Sequence, residues 1–321
     1  MHWQIPAFIG ATLISWILTK IVLVQLERRA ILDRPNQRSS HETPTPRGGG
    51  IAVITVVILC WAYPASQSPL LMAFLAGALG LALVSWLDDL RSQSIAIRLC
   101  TQFLAVGTTM IFLSNEGFLL QGLAPVWLDR LITILIWVWF INLFNFMDGI
   151  DGMATVETLV IACGLVLLFA SAALIGLDIW LPLGLAAAAL GFLWWNWHPA
   201  RVFLGDVGSI PLGFLLGGLL ILAALKGFWA PALILPLYFL CDATVTLTRR
   251  ALKREPVWQA HRQHFYQTAV QSGKSHATVS LAVFLTGLVL IGLSYWSLDA
   301  PWLALAGAFV TVAALLHWMS R

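Results

Sequence analysis

Long apolar stretches recur along the whole chain, and they limit how it can fold more than any other feature. A helix needs roughly 20 mostly apolar residues to cross a hydrocarbon core about 30 Å thick. Eleven stretches approach that length: 3–25, 48–63, 70–87, 97–114, 127–146, 154–175, 178–195, 208–225, 230–248, 277–297 and 300–318. The chain is 60% hydrophobic and only 10% charged, which leaves too little polar surface for a soluble fold. The sequence therefore predicts an all-α, polytopic membrane protein with about 11 transmembrane helices.

Positive charge is distributed unevenly between the two sides that eleven crossings would define. Of the 18 Lys and Arg, 15 fall in the loops of one side: Arg28, Arg29, Arg34, Arg38, Arg47, Arg91, Arg98, Arg201, Arg249, Arg250, Lys253, Arg254, Arg262, Lys274 and Arg321. Positive residues are retained on the cytoplasmic side. We therefore predict an N-terminus outside the membrane, a cytoplasmic C-terminus, and a first stretch that is an uncleaved span.

Three acidic motifs lie at the ends of different predicted helices, all on the predicted cytoplasmic side. They occupy residues 86–91, 142–152 and 203–209. Acidic residues near membrane helices are costly and usually functional, and Mg²⁺ is held by carboxylates together with substrate phosphate oxygens. Each motif alone is typical of a solvated helix end or a turn. Their shared location predicts a site for a divalent metal and phosphate at the cytoplasmic face.

Spacing within the motif at 142–152 predicts how its polar residues are arranged. Asn142, Asn145 and Asp148 are three residues apart, which would put them on roughly one face of a helix. Such a face could present an amide and a carboxylate to the same ligand.

Five motifs follow one another between about residue 28 and residue 270. They are 41–49 (HETPTPRGG), the Asp88-Asp89 pair, 142–152, 196–209 and 261–267 (HRQHFYQ). In these motifs and their order the sequence resembles the polyprenyl-phosphate N-acetylhexosamine-1-phosphate transferases. It is most similar to the bacterial branch that initiates O-antigen synthesis. Arg91 replaces a Lys, and the histidine motif is His-x-x-His-x-x-Gln rather than a triple His, which argues against a muramoyl-pentapeptide substrate.

The resemblance implies a reaction. An N-acetylated sugar 1-phosphate would move from a UDP-sugar to undecaprenyl, or another polyprenyl, phosphate. UMP would leave, and a polyprenyl-diphospho-sugar would remain in the membrane to start cell-envelope glycan or lipopolysaccharide O-antigen synthesis. Mg²⁺ or Mn²⁺ is the expected cofactor, and the bacterial inner membrane is the expected location. A homodimer is expected from the family, and no nucleic acid partner is predicted. We expect one integral membrane catalytic domain over 1–321, with a cytoplasmic arm at 249–276.

The resemblance also implies roles for individual residues. Catalytic roles would belong to Asp88, Asp89, Asp148 and Asp151, and metal binding to Asp206 and Asn145. Substrate binding would belong to His41, Arg47, Arg91, Arg98, Asn142, Asn196, Phe203, His261 and His264. Among these, Asp88 would accept the proton of the lipid phosphate and Arg98 would bind that phosphate. Asn196 and Phe203 would lie at the uracil, and the two histidines at the diphosphate or sugar.

Two other classes of protein fit parts of the pattern. A transporter or flippase also carries acidic residues, but it would place them near mid-membrane, often within inverted repeats. A CDP-alcohol phosphotransferase also binds metal through Asp-Gly motifs, but its spacing is not matched here. For the transferase, direct attack by the lipid phosphate and a covalent phospho-aspartate route are both open, and direct attack is favoured.

Overall fold

The computed structural model describes residues 3–35, 40–41, 43–171, 178–256 and 261–321. Thirteen helices and two short strands occur within these ranges. In chain order they are α1 Gln4–Arg28, β1 Leu32–Asp33, β2 Thr45–Pro46, α2 Gly50–Ser66, α3 Pro69–Leu90, α4 Ile95–Leu113, α5 Val126–Phe146, α6 Met153–Ala170, α7 Trp180–Asn196, α8 Asp206–Leu225, α9 Trp229–Ile234, α10 Leu237–Leu252, α11 Phe265–Gln271, α12 His276–Trp296 and α13 Pro301–Met319.

The helices have the lengths and surfaces of membrane spans. Within the described ranges, eight helices are long and apolar enough to cross a membrane, and α2 and α7 are shorter apolar helices. Outer helices expose large apolar side chains, such as Trp302 and Val310 on α13, which are 72% and 71% exposed. Lipid is the environment in which such a surface is stable. The chain is therefore a multi-pass helical membrane protein, which confirms the predicted class.

Helix α8 occupies the centre of the bundle. It is apolar on all sides and buried along its length, as expected of a helix that other helices surround. It packs against α2, α3, α5 and α6. It approaches α2 closely, because a Cβ added to Gly50 would lie 2.3 Å from the Gly208 Cα. Small residues let membrane helices approach this closely, and the contact seats the start of α8 against the segment that precedes α2.

Two predicted spans differ from the helices observed. The stretch 230–248 is not one helix, because α9 ends before Pro236 and α10 begins after it. Proline lacks the amide hydrogen and its ring clashes with the preceding turn, so a continuous helix is disfavoured there. The stretch 154–175 forms a helix only to Ala170, and residues 172–175 lie outside the described ranges.

The segment before α2 is tied to the loop before α8. β1 pairs antiparallel with β2, and Arg47 continues the pairing in parallel with Phe203. The amides of Gly48 and Gly49 donate to the Phe203 carbonyl at 3.2 and 2.9 Å, and the Gly50 amide donates to Leu204 at 2.8 Å. These backbone bonds bring the first and fourth motifs together.

Arg38, residue 42 of the first motif, and residues 257–260 of the predicted arm lie outside the described ranges.

Candidate active site

The carboxylate of Asp89 closes the first turn of α8. Asp89 lies in the last turn of α3, and its side chain is fully buried. It accepts hydrogen bonds from the backbone amides of Asp206, at 3.1 Å, and Val207, at 3.0 Å. The first amides of a helix have no partner within the helix and favour a negative charge nearby. Asp89 therefore holds the start of α8 and has no exposed surface for a substrate.

Arg47 joins Asp89 to Asp206. Its Nε lies 2.9 Å from Asp89 Oδ1, and its terminal nitrogen lies 2.7 Å from Asp206 Oδ1. Asn145, in the last turn of α5, donates from Nδ2 to the same Asp206 oxygen at 3.1 Å and to Ser209 Oγ at 2.8 Å. The structure thus brings together Arg47, Asp89, Asn145 and Asp206, which come from four different parts of the sequence.

Gly205 makes this close arrangement sterically possible. Its φ is +74°, a region that residues with side chains rarely adopt. A Cβ at this position would also lie 2.8 Å from Asp89 Oδ2 and 3.2 Å from the Gly48 amide nitrogen. A larger residue at position 205 would separate the start of α8 from Asp89.

Asp148 lies beyond the end of α5, so the predicted shared helix face of Asn142, Asn145 and Asp148 is wrong. The helix ends at Phe146, and the turn that follows leads to Gly152, whose φ is +75°. Asn142 and Asn145 remain on the helix, whereas Asp148 belongs to the turn. The Asp-Gly repeats that follow the helix favour a turn over further helical residues.

The Asp148 carboxylate is available to bind a ligand. Within the described part of the chain it accepts no hydrogen bond, and the same is true of Asp206 Oδ2. Burial raises the pKa of Asp148 well above its ordinary value, although the nearby Arg47 acts in the opposite direction. Two carboxylates with unoccupied oxygens therefore face the same cavity.

Asp151 lies between two imidazole rings. Its Oδ2 is 2.6 Å from His198 Nδ1 and accepts the Ala200 amide at 3.1 Å, and its Oδ1 is 3.2 Å from His276 Nδ1. Burial raises the pKa of Asp151, but hydrogen bonds from the two histidines outweigh it and lower this pKa. These three residues could hold a metal ion. The carboxylate is already satisfied by both rings, so the cluster is complete without one. His276 Nε2 also lies 3.1 Å from the Ser40 carbonyl.

The side-chain amide of Asn196 connects two elements of the fold by hydrogen bonds. Its Oδ1 accepts the Gly152 amide at 3.1 Å and the Thr155 hydroxyl at 2.9 Å, and its Nδ2 donates to the Val202 carbonyl at 3.0 Å. These bonds join the start of α6 to the loop before α8. The amide of Asn196 is thus largely occupied by the protein itself.

His41 and Phe203 pack against each other at the edge of the cavity. Their rings are 4.9 Å apart in an edge-to-face arrangement. His41 Nε2 is buried and has no hydrogen-bond partner within the described residues. A buried polar atom without a partner is unfavourable, so this nitrogen is suited to bind a ligand in the cavity.

A polar cavity of about 590 Å³ contains most of these groups. It is lined by Asp33, Ser40, His41, Arg47, Ser92, Asn145, Asp148, Gly149, Ile150, Asp151, Asn196, Phe203, Leu204, Gly205, Asp206, Gln267 and His276. Apart from Asn142, the predicted site residues of the motifs at 41–49, 142–152 and 196–209 therefore share one cavity.

An apolar groove of about 680 Å³ lies beside the cavity. It is lined by Ile95, Arg98, Leu99, Gln102, Phe103, Leu135, Val138, Trp139, Asn142, Asn145, Phe146, Ile210, Thr244, Leu247, Thr248 and Ala251. Arg98 contributes a positive charge and lies 3.2 Å from Asp88 Oδ2, while Asn142 is bonded to Gln102. Asn145 lines both the groove and the cavity.

The Asp88-Asp89 pair is therefore divided between two environments. Asp89 faces the start of α8, whereas Asp88 pairs with Arg98 and accepts the Gln93 amide. Arg91, at the end of α3, is exposed, and its side chain makes no hydrogen bond or ion pair within the described residues.

The two histidines of the motif at 261–267 line neither the polar cavity nor the apolar groove. His264 is buried, and its Nδ1 lies 3.0 Å from Asp242 Oδ1. The His261 ring stacks on it at 4.8 Å, and burial lowers the pKa of His261 to about 4, so this ring is neutral at pH 7. Neither histidine lines the cavity or the groove, whereas Gln267 of the same motif lines the cavity. The residue of this motif that a cavity ligand can reach is thus Gln267.

Asp242 is the residue that docks the histidine motif. Its carboxylate is completely buried and accepts five hydrogen bonds, from groups on α10 and at the start of α11. The donors are His264 Nδ1, the Phe265 and Tyr266 amides, the Tyr238 hydroxyl and the Thr246 hydroxyl. Asp242 is not among the predicted site residues, although a charge inside an apolar stretch is a signal of function. His198 and His276 carried no comparable signal.

Replacing Asp242 by Asn is expected to loosen α11. An amide has only one acceptor oxygen, so one set of donors would face an NH₂ group, at a cost of about 1–3 kcal/mol. Hydrogen exchange should increase over residues 261–271, and the melting temperature in detergent should fall. Asp299→Asn removes an exposed carboxylate from the turn between α12 and α13 and should change neither quantity. Unchanged exchange in Asp242→Asn would contradict the docking role.

The chain is similar in sequence to a known family of transferases. Residues 71–224, which run from α3 to α8, match the model of glycosyl transferase family 4. The chain is 28% identical to a probable undecaprenyl-phosphate N-acetylglucosaminyl 1-phosphate transferase of Bacillus subtilis (strain 168), over 89% of this chain and 82% of that protein. A decaprenyl-phosphate N-acetylglucosaminephosphotransferase of Mycobacterium leprae (strain TN) is 28% identical, with the same coverage.

A third relative broadens the comparison. The phospho-N-acetylmuramoyl-pentapeptide-transferase of Deinococcus radiodurans is 26% identical over 89% of this chain and 97% of its own length. The match to the family model covers the Asp88-Asp89 pair, the Asn145 motif and Asp206. The resemblance inferred from the five motifs is thereby confirmed: residues 71–224 match glycosyl transferase family 4, and the three relatives are sugar-phosphate transferases of the kind that the motifs indicate.

Proposed function

We propose that this protein transfers an N-acetylated sugar 1-phosphate from a UDP-sugar to undecaprenyl, or another polyprenyl, phosphate and releases UMP. One observation carries the proposal: Asn145 lines both a polar cavity with free carboxylates and an apolar groove with a basic residue. A water-soluble phosphate donor and a lipid phosphate could meet at that boundary. Two relatives, a probable undecaprenyl-phosphate N-acetylglucosaminyl 1-phosphate transferase and a decaprenyl-phosphate N-acetylglucosaminephosphotransferase, support the same reaction.

The polar cavity suits the UDP-sugar. Its volume of about 590 Å³ is in the usual range for a small-molecule site. Arg47 supplies positive charge for a diphosphate, and the unpartnered His41 Nε2 supplies a further polar contact. Phe203 offers an aromatic face for the base. The diphosphate would lie toward Asp206 and the base toward Phe203 and Asn196.

The apolar groove suits the polyprenyl chain. Its walls are mainly apolar side chains of α4, α5 and α10, and Arg98 lies among them. The lipid phosphate would pair with Arg98, and its chain would extend along the groove. Asp88, which is bonded to Arg98, would accept the proton of the lipid phosphate. Asp89 would then position Arg47 and Asp206 rather than contact a substrate.

The residues of the cavity also fit a divalent metal ion. Mg²⁺ prefers oxygen ligands and commonly binds one or two carboxylates together with substrate phosphates. Asp206 Oδ2 and the Asp148 carboxylate are such oxygens, and neither accepts a hydrogen bond within the described residues. Bound Mg²⁺ or Mn²⁺ would neutralise charge on the diphosphate during transfer. Asn145 would hold Asp206 in orientation and could offer its carbonyl oxygen.

Direct attack by the lipid phosphate is the favoured route. The lipid phosphate is already a charged nucleophile, so the protein must position it and neutralise charge. Asp148 and Asp151 would support the UDP-sugar rather than carry a covalent phosphate. Recovery of a phosphorylated Asp after incubation with UDP-sugar alone would overturn this preference.

The arrangement in the membrane follows from the distribution of charge. We place eleven crossings, the N-terminus outside and the C-terminus and active site on the cytoplasmic side of a bacterial inner membrane. The whole chain would act as one catalytic domain with the arm at 249–276. The lipid-linked product would start cell-envelope glycan or O-antigen synthesis, and a homodimer is the expected assembly.

A panel of UDP-sugars tests the function directly. Purified protein would be incubated with undecaprenyl phosphate, Mg²⁺ and each of UDP-N-acetylglucosamine, -galactosamine, -fucosamine and -quinovosamine. We expect release of UMP with at least one sugar, which depends on both the lipid and the metal. A correctly inserted protein that releases no UMP from any of these sugars would instead favour a transporter or flippase.

Replacing Arg98 by Gln should weaken use of the lipid more than use of the sugar nucleotide. Loss of a charge-assisted contact to the phosphate is expected to raise the KM for undecaprenyl phosphate about tenfold. The KM for the UDP-sugar should change by less than about twofold. Arg91→Gln removes an equal charge from the same face, but Arg91 does not line the groove. Equal effects of the two variants on the lipid KM would contradict the assignment of the groove.

A further inference from the structure

The guanidinium of Arg47 occupies a position between two carboxylates of the site. It is 2.9 Å from Asp89 Oδ1 and 2.7 Å from Asp206 Oδ1, and the side chain is 35% exposed. The guanidinium of an arginine stays protonated in proteins, so this group is charged. A permanent positive charge therefore lies directly against the predicted metal ligand.

The backbone around Arg47 is held independently of this side chain. The amides of residues 48–50 donate to the carbonyls of Phe203 and Leu204, and the Arg47 amide donates to Ile31 at 3.3 Å. Asp89 also keeps its two bonds to the amides at the start of α8 without Arg47. The main-chain contacts of this segment therefore do not depend on the position of the guanidinium.

The two carboxylates that contact the Arg47 guanidinium differ in their burial and in their other partners. Asp89 is fully buried and is satisfied by the two backbone amides, whereas Asp206 is partly exposed to the cavity. Arg47 and a divalent cation at Asp206 would repel each other at short range. A diphosphate in the cavity would attract both. The arrangement makes the binding of metal and of diphosphate mutually dependent.

We propose that Arg47 is an internal cation that neutralises Asp206 before the metal binds, and that its guanidinium turns from Asp206 to the diphosphate when metal and UDP-sugar bind together. This inference rests on the proposed function, and it adds an order of events to it. Metal alone binds weakly because it must compete with Arg47. Metal with UDP-sugar binds tightly because the competing charge then has a partner of its own.

Binding of Mn²⁺ to the purified protein, measured by electron paramagnetic resonance, tests the inference without turnover. Arg47→Gln should bind Mn²⁺ about tenfold more tightly than the unaltered protein when no nucleotide is present. UDP-N-acetylglucosamine should tighten Mn²⁺ binding at least about tenfold in the unaltered protein and less than about twofold in Arg47→Gln. Arg201→Gln is the matched control, because Arg201 packs on Trp195 and does not line the cavity.

The outcomes separate this inference from the proposed function. Mn²⁺ binding that Asp206→Asn abolishes, but that Arg47→Gln leaves unchanged or weakens, would overturn the role of Arg47 alone. Absence of any Asp206-dependent Mn²⁺ binding, with or without UDP-sugar, would overturn the metal site and the inference together. Equal tightening in Arg201→Gln would reduce the effect to general surface charge and would also overturn the role of Arg47.

Discussion

Replacing Asp206 by Asn should lower kcat by at least about a thousandfold. The Asn side chain can still accept the hydrogen bonds from Arg47 and Asn145, so the local fold should persist. It lacks the negative charge that a divalent cation needs, and phosphoryl transfer depends mainly on charge neutralisation and positioning. UMP release at saturating UDP-sugar and lipid measures the loss.

The control for this variant must remove a carboxylate elsewhere. Asp299→Asn does so in the exposed turn between α12 and α13, and it should leave UMP release unchanged. Membrane insertion and the melting temperature of Asp206→Asn should match those of the unaltered protein. A variant that inserts normally and retains more than about a tenth of the turnover would remove Asp206 from the reaction.

Replacing Gly50 by Ala is expected to destabilise the protein strongly. The added Cβ would lie 2.3 Å from the Gly208 Cα and 2.4 Å from its amide nitrogen, and neither backbone atom can turn away as a side chain could. Overpacking of this kind costs about 1–3 kcal/mol, and more where backbone must move. Helices α2 and α8 would have to separate, which would also displace Asp206. The melting temperature in detergent and UMP release should both fall.

Gly80 provides the matched comparison. It lies within α3, and a Cβ added there meets no atom within 4 Å. Ala is also a better helix former than Gly. Gly80→Ala should therefore keep the melting temperature and the turnover, or raise the former slightly. Similar losses in the two variants would show that the contact between Gly50 and Gly208 is not what seats α8.

The different environments of Asp88 and Asp89 cannot be inferred from the sequence. Asp88 and Asp89 are adjacent in sequence, and the family resemblance implies a catalytic role for each. Successive residues of a helix point about 100° apart, so one faces the start of α8 and the other faces Arg98. No local pattern tells which of the two turns inward. That assignment depends on where α4 and α8 pack against α3.

The histidine motif shows the same limit. His261 and His264 were predicted to contact the substrate, but His264 is bonded to Asp242 and neither ring lines the cavity. Gln267 of the motif reaches the cavity instead. The spacing of the motif does not tell which of its side chains reaches a cavity, because the position of α11 is decided by the contact of its first residues with Asp242 of α10.

The amino-acid sequence by itself determined that this chain forms many membrane helices and that its acidic motifs lie at helix ends. An apolar stretch of about 20 residues in lipid must satisfy its backbone internally, and a helix does this without partners. The tertiary structure alone decided that Arg47, Asp89, Asn145 and Asp206 touch one another. Contacts between distant segments depend on how closely helices pack, and here that packing is set by the glycines between α2 and α8.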